Sequence, residues 1–126
     1  MRRLLTVFAT LACVACADSL TPKELLRINV LPDALELMNT SQKSVYVFVA
    51  ERNTLALMDW APCSDAATCE GITVGSSMVV PYTDITGYTT GASEAVVYNW
   101  HLVPDAAEGF RPDSIRATII ALHVHH

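Results

Sequence analysis

Short β-forming runs recur along this chain, each closed by turn-forming residues before a helix could complete several turns, and that punctuation constrains the fold more than any other feature. The clearest run is Ser44–Ala50, SVYVFVA, with Val45, Val47 and Val49 on one face and Tyr46 and Phe48 on the other. Both faces are apolar, which suits a central strand. Leu25–Leu31 is stopped by Pro32-Asp33, and Ala34–Asn39 is cut off too soon by Asn39-Thr40-Ser41 to favour a helix. After a polar turn at Glu51–Thr54, Leu55–Trp60 reads as the return strand of a hairpin. Ile72–Val74, Ser77–Tyr82, Glu94–Val103 and Ser114–Val124 complete the set. Pro81 cannot donate to a ladder, so it sits on an edge strand or ends one. In Glu94–Val103 the bulky residues Val96, Tyr98, Trp100 and Leu102 share one parity and are expected to face the core. Residues 61–71, 83–93 and 104–112 read as loops.

Seven or eight short strands, without a strand–helix–strand rhythm, predict an all-β fold. The expected architecture is an immunoglobulin-like Greek-key β-sandwich over residues 25–126, with a small barrel as the competing closure.

Ahead of this domain, Met1–Cys16 reads MRRLLTVFATLACVAC: two arginines, an apolar run from Leu4 to Ala15, then small residues abutting a cysteine. The run is too short to span a bilayer, which takes roughly 20 apolar residues, and has the layout of an export signal. It resembles the signal peptide of a bacterial lipoprotein, although neither Cys13 nor Cys16 has leucine three residues before it. The resemblance implies cleavage after residue 15, acylation of Cys16, and a chain held on the cell envelope, facing the periplasm or the cell surface. Cys13 is the alternative processing site; choosing it would leave Cys16 as an unpaired thiol. Residues 16–24 then form a lipidated tether. Two or more acyl chains give stable membrane attachment where one gives only marginal binding.

Loss of the signal would remove Arg2 and Arg3, leaving six basic against 13 acidic residues, a net charge of −7. An acidic chain without a basic cluster does not suit nucleic acid, whose binding draws on Lys and Arg to displace counterions. It also disfavours direct attraction to anionic headgroups, so membrane association would rest on the acyl anchor.

Cys63 and Cys69 flank Ser-Asp-Ala-Ala-Thr, and in an exported chain that spacing predicts a disulfide closing a small loop. His123, His125 and His126 crowd the C-terminus, and with His101 they could hold Zn²⁺ or Cu²⁺ if the two strands were neighbours. Trp60, Tyr82 and Tyr88 fall at strand ends or in loops and are candidates for a recognition patch. Nucleophile elbows, paired catalytic carboxylates and phosphate cradles are missing at the motif level, and no cofactor is implied. The expectation is a non-catalytic, lipid-anchored binding or accessory subunit of a protein complex. The alternative is a periplasmic metal-binding module.

Overall fold

A computed structural model describes residues 24–124 with the exception of Glu108. The expected signal (1–15), the acylation site Cys16, the rest of the tether up to residue 23, and His125 and His126 lie outside the described residues.

Among the described residues, seven strands form two antiparallel sheets. One holds β1 (Leu26–Val30), β2 (Ala34–Asn39) and β5 (Ser77–Pro81), in the order β1-β2-β5. The other holds β3 (Val45–Glu51), β4 (Gly71–Ile72), β6 (Glu94–Asp105) and β7 (Gly109–Ala121), in the order β4-β3-β6-β7. The chain crosses between sheets from β2 to β3 and back from β4 to β5, then again from β5 to β6. That is the Greek-key course of an immunoglobulin-like sandwich, with the fourth strand beside the third. β5 is an edge strand, which accommodates Pro81 at its end.

The core lies between the sheets and follows strand parity. Leu35 and Leu37 of β2 meet Val45 and Val49 of β3, Ala95 and Val97 of β6, and Ile72. Leu35, Leu37, Val45 and Val97 are fully enclosed, and each such burial contributes roughly 1.5–3 kcal/mol. Tyr82, in the 3-10 turn after β5, donates its hydroxyl to the Leu31 carbonyl at 2.6 Å and accepts the His123 amide at 3.2 Å. One buried ring thus ties the β1–β2 turn, the end of β5 and the exit of β7.

Three expectations are corrected. Leu55–Trp60 is not a strand. The Glu51 carboxylate accepts the Asn53 and Thr54 amides, at 2.8 and 2.9 Å, and caps the short helix α1 (Arg52–Leu55), after which the chain runs irregularly. Residues 104–112 are not one loop. β6 extends to Asp105 and β7 begins at Gly109, whose φ of +86° closes the turn, so the two strands continue as a ribbon past the rest of the sheet. Finally, the inter-sheet face of β6 is Ala95, Val97 and Asn99, whereas Tyr98 and Trp100 point outward. Their bulk is covered from the other side by the loop after α1.

Candidate functional site

That loop makes a second packed layer on the outer face. The Trp60 ring stacks on Phe48 with centroids 4.9 Å apart, tilts against Tyr98 at 4.4 Å and meets Trp100 edge-on at 5.9 Å. Cys63 and Cys69 are disulfide-bonded. Trp60, a candidate recognition aromatic, is therefore half-buried as a wedge. Tyr82 is buried in the core with its ring 5.7 Å from Tyr88, so it offers a partner no surface. The three aromatics do not converge, because Trp60 covers the outer face of the four-stranded sheet while Tyr82 and Tyr88 sit at the turn after β5.

Nor do the two described candidate histidines, His101 and His123, converge. In the β6–β7 register His101 lies opposite Asp113, while Ala121, two residues before His123, lies opposite Glu94. Seven residues of strand separate these levels, ~23 Å at 3.3 Å per residue. Among the described residues no group of three His, Cys, Asp or Glu is placed to hold a metal ion.

Two other features stand out, and both belong to β7, the edge of its sheet. The first is an apolar stripe on its outer face. Phe110, Ile115 and Ile119 are exposed by 40, 50 and 53%, interleaved with Ala117 on the same parity as Ile119. An edge strand also presents unpaired backbone groups, and natural edges are usually blunted by charge, proline or a bulge. Here Pro112 and a bulge, where Ser114 and Ile115 both stand opposite Trp100, interrupt only the first half. Residues 116–121, RATIIA, remain regular.

The second feature is a cleft on the inner side of the same strand, where β1 and β7 diverge. A cavity of about 250 Å³ is lined by Leu26 and Ile28 of β1 and by Asn99, Arg116, Thr118 and Ile120. A neighbouring cavity of about 340 Å³ shares Glu24 and Leu25 with it and continues to Ser41, Lys43, His101 and Asp113. Asn99 is 3% exposed, and its Oδ1 has no hydrogen-bond partner among the described residues. A buried acceptor left unpaired costs about 1–3 kcal/mol.

The far end of the cleft is held by side-chain hydrogen bonds. Buried Asn39 donates through Nδ2 to the carbonyls of Lys43 (2.7 Å) and Ile72 (2.8 Å), which fixes its orientation, and its Oδ1 accepts the Ser41 amide (2.8 Å) and hydroxyl (2.7 Å). Ser41 Oγ also lies 3.1 Å from His101 Nε2. A hydroxyl has one proton to give, and both Asn39 Oδ1 and the Lys43 carbonyl, at 2.9 Å, are nearer than Nε2. The network therefore assigns the hydrogen to Nε2, which donates to Ser41. A serine with its proton committed elsewhere is not activated for attack, and Ser41 serves to orient His101. Burial lowers the His101 pKa; Lys43 and Arg116 push it the same way, while Asp113 opposes them. Ser114 at the bulge has φ +56°, an uncommon conformation for a non-glycine residue, and it re-aims the strand between Asp113 and Arg116.

The sequence offered little warning of this cleft. Its one signal is Asn99, an amide among apolar alternates of a β-run, and only the register shows that it faces inward. Comparison with protein-family models, with curated proteins and with solved structures finds no match for the chain.

Proposed function

We propose that this protein is a non-catalytic, lipid-anchored binding module of the bacterial cell envelope, which engages a protein partner through β7. The observation that carries this reading is the exposed apolar stripe Phe110, Ile115 and Ile119 on a sheet-edge strand. Apolar side chains aligned on an open edge favour partner contact, since removal of such surface from water contributes roughly 25 cal/mol per Å² before the costs of association. The export signal and Cys16 supply the compartment and the anchor. Attachment to a membrane would raise the local concentration of a co-anchored partner and compensate for a small contact area.

A photoreactive residue at Ile119, introduced into the full-length protein in its native envelope, tests this. Crosslinks are expected from 119 and not from Val79, which is 56% exposed on the opposite sheet. Equal crosslinking from both positions, or none from either, overturns the reading. Intact mass of the same protein decides the anchor, because acylated Cys16 at the N-terminus predicts a chain shortened by residues 1–15 and heavier by acyl groups.

A further inference from the structure

We infer that the protein engaged by the β7 edge is a second copy of this chain: two copies pair their β7 strands antiparallel about a two-fold axis through Thr118, joining the four-stranded sheets into one. This rests on the reading of β7 as the contact surface and adds the partner's identity and the register of the contact. The Leu122 amide donates to the Ser93 carbonyl, so even-numbered residues of this stretch bond toward β6, while Ala117, Ile119 and Ala121 turn their backbone groups to the open edge. The bulge closes the open stretch at Ile115, and β7 itself ends at Ala121. Thr118 is its midpoint. The other edges are shorter: β1 and β5 run five residues each, β5 closing on Pro81, and β4 runs two.

The side chains of this stretch are complementary to their own two-fold image. With Thr118 on the axis, Ile115 stands opposite the second copy's Ala121, and Ala117 opposite the second copy's Ile119. Each isoleucine fills the notch over an alanine, so the exposed row becomes continuous across the joint. On the inner face Thr118 meets Thr118, a favourable cross-strand pair. Roughly eight backbone hydrogen bonds form along the two strands. Charge does not oppose the pairing. Arg116, the sole charged residue between Ile115 and Ala121, is already engaged within its own chain and stands opposite Ile120. The two copies of Arg116 are offset by four residues, ~13 Å, more than the ~8 Å screening length at physiological ionic strength. Arg111 lies beyond the bulge and is ion-paired with Asp105 and Asp113. An axis perpendicular to the joined sheet keeps both three-stranded sheets on one side. Glu24 lies on that side, against the inner face of β7, so both Glu24 ends do too, as anchorage of both copies in one membrane requires.

Disulfide trapping of the full-length protein in its native envelope tests this. Directly opposed residues of a non-hydrogen-bonded pair have Cα atoms ~4.5 Å apart, within disulfide reach. Thr118→Cys is therefore expected to give a disulfide-linked dimer on mild oxidation. Ile120→Cys, whose two copies stand ~13 Å apart, is expected to give none, and co-expression of Arg116→Cys with Ile120→Cys is expected to restore the dimer. Ile119→Lys, at a side chain 53% exposed, is expected to keep the fold and to weaken self-association of the full-length protein in detergent at least tenfold, whereas Val79→Lys leaves it unchanged. Equal dimer yields from Thr118→Cys and Ile120→Cys report random collision and overturn the inference. No dimer from Thr118→Cys, while a photoreactive residue at Ile119 still crosslinks, overturns the two-fold strand pairing and leaves β7 as the contact surface. No dimer and no photocrosslink overturn the two readings together.

Discussion

The indole Nε1 of Trp100 donates to the carbonyl of Cys63 at 3.0 Å, so a strand of the sheet and the disulfide-closed loop are held by one hydrogen bond. The loop is thereby anchored independently of the disulfide. Cys63 and Cys69 are six residues apart, and closing so small a loop contributes about 2 kcal/mol in the chain-entropy account. None of the buried core hydrophobics lies in residues 61–70. Reduction is therefore expected to lower stability by about that amount and leave a folded sandwich, as measured by urea unfolding with and without a reductant. A chain that unfolds on reduction alone would show that the disulfide is essential to the fold.

Trp60 is the wedge of the outer layer, touching Phe48, Tyr98 and Trp100. Trp60→Ala is expected to cost about 2–4 kcal/mol, below the full-burial range because the ring is half-exposed. Leu57→Ala, at a side chain 90% exposed in the same segment, is expected to stay within about 0.5 kcal/mol. Urea midpoints of the two variants measure the difference, and equal effects would mean that the aromatic layer adds nothing.

Glu51 predicts an acid limb. The Asn53 amide, and after it the amide and hydroxyl of Thr54, hold its carboxyl below the usual carboxylate range against the opposing effect of burial. The unfolded chain therefore takes up this proton at higher pH than the folded one. The stabilisation is complete above the ordinary glutamate range and is lost as pH falls through the lowered folded value. Melting temperature is expected to fall across that window in the native protein and to fall less in Glu51→Gln, which is less stable at neutral pH because it loses the charged cap.

His101 gives a second, separate limb at higher pH. Its pKa is lowered mainly by burial, with Lys43 contributing. Protonation then favours the unfolded chain, whose histidine titrates near 6.5. Stability should be flat above that value and decline below it, down to the depressed folded value. His101→Gln keeps a donor for Ser41 and is expected to remove this limb without removing the Glu51 limb. Melting curves from about pH 8 down to about pH 3 cover both limbs and separate the two, and an unchanged upper limb in the variant would assign it elsewhere.

The β-runs and their turns were legible in the residues because strand alternation and turn chemistry are local. Ser44–Ala50, Ala34–Asn39 and the Cys63–Cys69 pair lie where the sequence places them. Leu55–Trp60 misled because its apolar residues suit a strand, whereas the Glu51 cap starts a helical turn and the resulting path delivers Trp60 onto the sheet. The parity of β6 misled for a related reason. Bulk normally marks the core side, but Tyr98 and Trp100 have a private cover of their own, and the inter-sheet space at Ala95 and Val97 is filled from β2 and β3.

Sequence by itself determined that this chain would make two-sided strands and that Cys63 and Cys69 would close a local loop, since each depends on neighbours in the chain. Tertiary structure alone decided which face of β6 is inside, that β7 is left at an edge with Ile115 and Ile119 outward, and that Asn99 faces a cleft beside Arg116 and Thr118. Those outcomes depend on the order in which strands pair. Pairing order is settled by packing between residues far apart in the chain, and no local pattern encodes it.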